Sequence, residues 1–482
     1  MKIKLIFIII ILGFIPCISF SQIVNISNNS SESTHPYILD QNGIIYIFWN
    51  DYLNGNSDIC FKYKQNNSWS ETITIETSGN SRLFSVCSDS ADVIHLLWRE
   101  ISDSSNRLKY GKIINSTLTD SSEIISYDSL YIISASLFID NSDIKHISWD
   151  IIENDSIKIF YSSEIGISTW SSPQQLHEDY GSGFFYIHSQ LIEDINYDLF
   201  CFWLSTDSNT ISYIIKLDST NWGSINYLYG QELGFGAEFV VRADDSLNIH
   251  LVSNHVYILT YANSLYYTKW DGLSWSEVEY IPSMDLGCAP LNAKFHPDLV
   301  FTSENFPFVC WDQYVFDYNF TLRGNWVGSA IKLNSGWHAN GFVAKYRKPL
   351  YPKISIDNND LINFVWQDST DGDYDIYYTT TVSVFDIDQN ENFYQNQIQL
   401  FQNYPNPFNL ETIISFNLNK NTNVLIEVYN IRGQKVKTIV DKYMTFGYHT
   451  ANFNTEDMKN GIYFYKLSTK DKTFIKKMIL MR

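Results

Sequence analysis

The chain has 482 residues, with 33 Lys/Arg against 53 Asp/Glu, a formal charge of −20 and 16% aromatic side chains. Residues 401–482 carry twelve basic and six acidic groups and the first 21 residues two lysines, so the stretch between them stands at −28. Such a surface repels nucleic acid and anionic membranes, which need clustered cations, and the aromatic content points to an all-β chain.

Residues 1–21, "MKIKLIFIIIILGFIPCISFS", place two lysines before an apolar run from Leu5 to Ile15 and end in small residues. That is the pattern of a secretory signal peptide handled by the Sec translocon, with cleavage expected between Ser21 and Gln22. The apolar run is shorter than the roughly 20 residues a span requires, and no transmembrane segment is expected after its removal. The remaining cysteines, Cys60, Cys87, Cys201, Cys288 and Cys310, are odd in number and widely spread, which fits small core residues better than a disulfide framework.

From residue 22 to 385 the sequence echoes itself. Apolar runs end at Trp49, Trp98, Trp149, Trp203, Trp311 and Trp366, with Ser253 in the same frame, at spacings of 49 to 58 residues. Nine residues before these endpoints stand Asp40, Asp89, Asp140, Asp194, Asp244, Thr302 and Asp357, each expected to open a tight turn between two strands. A polar loop and a third strand follow each column residue, and a turn with a further Trp often comes next, as at Trp69, Trp170, Trp222 and Trp275. Four short strands per repeat of about 50 residues make one blade of a β-propeller, here seven-bladed.

The strands are continuously apolar, so both faces must be covered, as between stacked blades. The Trp column is accordingly expected in the structural core, and His95, His146 and His250, three residues before it, as satisfied core histidines. The last repeat lacks its outer strand, which "QIVNIS" at residues 22–27 is expected to supply. The post-Trp loops, such as "WNDYLNGNSDI" and "WQDSTDGDYDI", vary in length and chemistry, whereas the Asp turns hold their register. Any ligand is therefore expected at Asp51, Arg99, Glu100, Asp150, Asp312 or Asp368. The acidic "DSTDGDYD" lacks calcium-loop spacing and a distal Glu, so a metal is left unassigned and no cofactor is expected.

The pattern "HPYILD…IIYIFW…DICFKY…SWSE" resembles the sialidase-like, or BNR-type, propeller repeats of exported bacterial proteins. The resemblance implies enzymes that hold a substrate carboxylate with three arginines, the first in an Arg-Ile-Pro motif. Here that motif is missing, the Asp-box is frayed to "SSEIGISTW" at residues 162–170, and a triad would have to draw on Arg82, Arg99, Arg242 or Arg323. No serine-hydrolase elbow, zinc helix, P-loop or dinucleotide fingerprint occurs, and no catalytic residue is assigned.

A polar linker at 386–399 leads into residues 400–482, whose alternating runs read as a small immunoglobulin-like β-sandwich. Asn403, Tyr404, Pro405, Asn406, Pro407 and Phe408, then Tyr429, Asn430, Gly433, Gly447, Gly461, Tyr463, Lys476 and Lys477 resemble the type A C-terminal sorting domain of the type IX secretion system. That resemblance implies delivery through the periplasm to the outer-membrane machinery, ending in secretion or on the outer cell surface. The leading reading is a non-catalytic binding or scaffold module with a surface polysaccharide or other glycan as ligand. Two readings stand beside it: an extracellular glycosidase using carboxylates at the propeller mouth, and a purely structural surface protein.

Overall fold

The computed structural model describes residues 20–482 except 54, 76–78, 103–104, 115, 168, 181–187, 206–209, 229–237, 257–262, 283–290, 317–321, 382–398, 401–402, 404–407, 419–421, 445–446, 456–457, 471 and 482. The leader, apart from Phe20 and Ser21, therefore lies outside the described residues, as do Cys288, Tyr404, Pro405, Asn406 and Pro407. The chain divides into two compact units, Met1–Val384 and Phe385–Arg482.

The first unit is a seven-bladed propeller. Seven separate antiparallel sheets of four or five strands follow one another along the chain. Their innermost strands are Glu32–Gln41, Asn80–Ser88, Tyr131–Ile139, Gln190–Glu193, Phe239–Ala243, Leu291–Phe301 and Pro349–Ile356. Second strands are the most apolar and the most buried: every residue of Leu199–Ser205 and of Ile362–Asp368 is buried. The outermost strand of the seventh blade comes from the N-terminal part of the chain, with Val24 opposite Tyr378 and Asn25 opposite Tyr377. That closes the ring and leaves no open blade edge at the seam.

The tryptophan column fills the contacts between blades. Trp49, Trp98, Trp149, Trp203, Trp311 and Trp366 are at most 1% exposed, and each packs against apolar side chains of the preceding blade, as Trp98 does with Phe48 and Phe61. Ser253 leaves a gap in this column. The fourth and fifth blades pack Phe200, Phe202 and Tyr213 with Trp270 and Trp275 near it, leaving a cavity of about 270 Å³ lined by Ser253 and Trp275, and the Trp270 indole donates to Asp194 at 2.9 Å. The described cysteines are free; Cys60, Cys201 and Cys310 are buried.

Polar side chains hold neighbouring blades in register as well. The residue after the column reaches the next blade's inner strand. Asn50 bonds the carbonyl of Ser81 at 2.9 Å and the amide of Leu83 at 3.1 Å, and Arg99 donates to the Ile132 carbonyl at 2.8 Å. Asp150 accepts from the Ser189 amide at 3.0 Å, Asn254 donates to the Lys294 carbonyl at 3.0 Å, and Gln367 accepts from the His35 amide at 2.8 Å. These bonds satisfy inner-strand backbone groups that no neighbouring strand covers.

The aspartate turns form as expected in five blades. Asp140, for example, accepts the amides of Ser142 and Ile144 at 2.8 and 2.9 Å, and Asp357 those of Asn359 and Leu361 at 2.8 and 2.9 Å. Asp40 is different. It lies inside its strand opposite Ile45, and the turn is made by Asn42 and Gly43, with φ of 52° and 77°. Asn-Gly suits a two-residue hairpin with both residues left-handed, which moves the turn two residues beyond the aspartate.

In three blades the aspartate also holds a histidine. His95, His146 and His250 each place Nε2 at 3.0–3.1 Å from Asp89, Asp140 and Asp244, and Nδ1 at 2.6–2.8 Å from the hydroxyls of Tyr110, Tyr161 and Tyr267. Each tyrosine then meets a Trp of the following blade edge-on, at 5.1–5.2 Å. Burial lowers all three histidine pKa values, that of His250 to about 4.

His35 and His188 are lowered too, by burial first, to about 3 and about 4. The unfolded chain would take up these protons near pH 6.5 while the folded chain refuses them, so stability is full above about pH 6.5 and falls toward pH 4, by up to about 1.4 kcal/mol per pH unit per group. Asp150, raised by burial to about 6, opposes this, as do Asp40, Glu193, Asp198 and Glu238, which burial also raises, and His296, raised to about 8. A lower melting temperature at pH 5 than at pH 7 is therefore expected in a thermal scan, and a flat profile would refute the assignment of neutral buried histidines.

The second unit is a two-sheet sandwich. Gln399–Leu400, Glu411–Leu418 and Gly447–Asn454 form one sheet; Lys435–Met444, Thr422–Asn430, Gly461–Ser468 and Thr473–Leu480 form the other. Ile414, Phe416, Val424, Ile426, Val428, Tyr465, Leu467 and Met478 make the core between them.

Candidate functional site

A cavity of about 1390 Å³ runs along the propeller axis, lined by the inner strands of all seven blades. Its mouth is built by bulges. The ladder between first and second strands slips between Thr34 and Tyr37, Leu83 and Ser85, Ile132 and Ser134, Phe295 and Asp298, and Leu350 and Lys353. In three blades the slipped residues are His35-Pro36, His296-Pro297 and Tyr351-Pro352. Proline has no N–H for the ladder and restrains the residue before it, and His35, His296 and Tyr351 adopt φ of 53°, 48° and 52°. A bulge re-aims a side chain at a fixed point of a strand, and left-handed backbone at such residues costs of order 1–3 kcal/mol. The rings form a row, with centroids 4.9 Å apart for His35 and Tyr351 and 3.9 Å for His296 and Tyr351.

His296 stands between two carboxylates. Its Nδ1 lies 2.6 Å from Asp312 Oδ1 and its Nε2 3.2 Å from Glu238 Oε1, and its amide donates to the other Glu238 oxygen. Burial works to lower its pKa, but Asp312 and Glu238 outweigh burial and raise it to about 8. Burial raises the pKa of Glu238. Asp312 follows the Trp column, where other blades hold their neighbour; here that side chain serves the histidine, and Asp298 accepts the Ile354 amide of the next blade at 3.0 Å instead.

The cavity is also lined by Asp40, Asp155 and Asp298 and by three cations, Arg82, Arg242 and Lys353. Arg242 pairs with Asp298 at 3.1 Å. Arg82 approaches the uncharged His35 ring at 3.5 Å and lies over Phe84, with no carboxylate partner among the described residues. Lys353, which also lines the cavity, has no hydrogen-bond or ion-pair partner among the described residues. Its charge is close enough to act on His188, Glu238 and His296. His188 is kept neutral first by burial and then by Lys353, Arg82 and Arg242.

The residues expected at a ligand face take the following places. Asp51 accepts from Asn29 at 2.7 Å and from Ser31; Arg99 also stacks over Tyr131 at 4.2 Å; Glu100, 1% exposed, faces Arg107 and Lys109 at 3.7 and 3.5 Å. Asp150 is bonded to Ser134 and Ser189, and Asp368 accepts the amides of Lys348 and Thr370 at 3.3 and 2.8 Å. All are buried, and Asp312 is the one that joins the histidine at the mouth. In the "DSTDGDYD" loop Asp371 accepts from the Tyr377 hydroxyl at 2.8 Å and Asp375 from Asn25 and Ser27 at 2.9 and 2.6 Å. Among the described residues no group of three His, Cys, Asp or Glu side chains is arranged to hold a metal ion.

His35, His188, Glu238, His296, Tyr351 and Lys353 were not singled out by sequence reasoning, and Arg82 was named only as one of four arginines a triad could draw on. The available signal was the X-Pro pair in "HPYILD", "HPDLVF" and "YPKISI", a proline recurring inside a strand frame where it cannot pair.

In the C-terminal unit the motif residues are mostly structural. Asn403 is buried, donates its backbone amide to the Tyr465 hydroxyl at 2.7 Å and its side-chain amide to the Thr412 hydroxyl at 3.0 Å. Phe408 exchanges backbone bonds with Ile479 and Met481 at 2.9 and 2.8 Å. Asn430 accepts the amides of Arg432 and Gln434 at 2.9 and 3.1 Å, and Gly433 turns the hairpin with φ of 74°. Tyr429 donates to Glu427 at 2.6 Å and Tyr463 to the Lys459 carbonyl at 2.7 Å. Gly447 and Gly461 each begin a strand, and Lys476 and Lys477 are exposed on the last strand.

Residues 402–481 match the family described as the secretion system C-terminal sorting domain. The sorting domain marks the chain for export, to the cell surface or to the medium. No curated protein matches the chain in sequence. Among solved structures, a protein of unknown function from Dyadobacter fermentans aligns at 8% identity over 76% of this chain and 99% of its own, with a TM-score of 0.46. The NanB sialidase of Streptococcus pneumoniae aligns at 12% identity over 75% and 70%, TM-score 0.39. The α-L-arabinanase of Penicillium chrysogenum aligns at 13% over 76% and 99%, TM-score 0.40.

Proposed function

We propose that the propeller is an exported binding module that seats an acidic saccharide at its axial mouth and does not turn it over. The observation that carries this reading is the pair of cations without an ion-pair partner among the described residues, Lys353 and Arg82, facing one cavity in a domain otherwise so acidic. Two like charges held near a poorly solvated wall repel, by about 4 kcal/mol at 4 Å in surroundings of intermediate polarity and less at greater separation. A carboxylate between them relieves that repulsion. The Tyr351 ring row and Tyr131 offer flat apolar faces to a sugar ring, and neutral His188 offers one donor and one acceptor. The cavity exceeds the roughly 300–1,000 Å³ usual for small-molecule sites, which suits an oligosaccharide.

The absence of turnover rests on how the carboxylates are used. Glycoside hydrolysis employs two carboxyl groups flanking the bond, about 5–5.5 or 6.5–9.5 Å apart and free to act on substrate or water. Here Asp312 is fully buried, and both Glu238 oxygens are engaged by His296. One observation favours a second reading, an enzyme: a histidine with a pKa of about 8 is protonated at neutral pH and stands beside Tyr351, which suits a general acid.

Calorimetric titration with oligogalacturonate and with a neutral oligosaccharide of equal length tests both. Saturable binding of the acidic ligand alone is expected, weakened at least tenfold, about 1.4 kcal/mol, by Lys353→Met and weakened by salt. Equal binding of the neutral sugar, or an unaltered affinity in the lysine variant, would remove the basis for the anionic ligand. Release of shortened products would establish the enzyme reading.

A further inference from the structure

We infer that the leader is removed at the Ser19–Phe20 bond, two residues upstream of the Ser21–Gln22 bond that the sequence pattern first suggests. A signal peptidase requires small residues at the third position before the cut and at the position immediately before it. Two frames meet that requirement here: Ser19 and Ser21 for a cut before Gln22, and Cys17 and Ser19 for a cut before Phe20. The sequence pattern is therefore degenerate, and the fold distinguishes the two products.

The outermost strand of the seventh blade is Val24–Asn25, but pairing with the blade begins upstream of Gln22. Phe20 forms a bridge with Thr381, and its ring meets Phe364 edge-on at 5.6 Å, joining Ile23 against the cluster of Phe308, Phe364 and Trp366. Ser21 donates its amide to the Thr380 carbonyl at 2.8 Å. Its hydroxyl accepts from the Thr380 amide at 3.2 Å, and its carbonyl accepts from the Thr379 hydroxyl at 2.9 Å. The strand continues through Val24 and Asn25 to the Ile26 amide, which donates to the Ile376 carbonyl at 2.7 Å.

A cut before Gln22 would remove an aromatic contact and four hydrogen bonds from the seam of the ring, the fourth joining the Ser21 and Thr379 hydroxyls at 3.2 Å. The Thr380 amide and carbonyl would then lie at a sheet edge without their partners. A cut before Phe20 keeps all of them. Hydrolysis of that bond by one water leaves a carboxylate on Ser19, which departs with the leader, and an α-ammonium on Phe20 at the start of the closing strand.

Two measurements test this. The N-terminal sequence and intact mass of the exported protein are expected to begin at Phe20; a start at Gln22, or at any other residue, overturns the inference. Two full-length chains made without the leader, one beginning at Phe20 and one at Gln22 and both preceded by the same methionine, are compared by thermal melting. The Phe20 chain is expected to melt a few degrees higher, and equal melting temperatures would overturn the physical basis for the assignment.

Discussion

Trp366→Ala is expected to lower the unfolding free energy of the propeller by about 3–5 kcal/mol, the cost of emptying a large aromatic site in a close-packed core. Trp366 is fully buried and packs with Phe308, Phe364, Tyr377 and Val327 at the junction of the sixth and seventh blades. The walls of that site are sheet backbones fixed by ladder hydrogen bonds, so little collapse can offset the cavity. Its indole also donates to Asp368 at 3.3 Å, and Asp368 is fully buried, so the substitution leaves that carboxylate with one partner fewer. Denaturant unfolding of the isolated propeller measures the effect. A loss under about 1 kcal/mol, the range typical of surface substitutions or less, would mean that the column does not bear the interface.

The fifth blade shows why that cost belongs to the surroundings and not to the column position as such. Ser253 takes the column there and is itself buried. The aromatic packing beside it comes from the outer strands, where Trp270 and Trp275 lie tilted at 5.6 Å with Phe200 and Phe202 next to them, and a cavity of about 270 Å³ remains between Ser253 and Trp275.

Much of this architecture was legible because it repeats. A tryptophan at a 50-residue period, the apolar second strands and the missing outer strand of the last repeat are each properties of single segments, and each has its counterpart in the ring. The histidines three residues before the column were readable for the same reason. What failed to read through depends on pairing across strands. Asp40 shares its spacing with the other turn aspartates, but the Asn42-Gly43 pair that follows it forms a tighter hairpin and carries the turn past it.

The mouth was harder still. Post-column residues such as Arg99 and Asp150 look like variable, charged loop residues in sequence, yet the neighbouring blade's backbone turns them into interior bonds. Asp312 is indistinguishable from them until His296 is seen beside it. The residues that do face the axis sit at bulges, and a bulge shifts side chains by one residue relative to the alternation from which facing is read.

Ending the chain at Val384 is expected to abolish appearance at the cell surface and in the medium while leaving the propeller folded. The ring closes between residues 20–26 and 375–381, and all seven inter-blade clusters are made of side chains from residues before 384. The sandwich has a separate core of its own, from Leu400 to Leu480. Removing it therefore deletes no propeller contact in either set and should leave the melting temperature of the truncated chain where the propeller transition of the full chain lies. Export is another matter, because the sorting domain is what the secretion machinery handles, and its turns, buried Asn403 and exposed Lys476 and Lys477 go with it. The truncated protein is expected in the periplasm, resistant to protease added to intact cells. Residues 385–482 fused to an unrelated periplasmic protein should carry that protein out. Truncated propeller on the surface, or a fusion retained in the periplasm, would show that the address lies elsewhere in the chain.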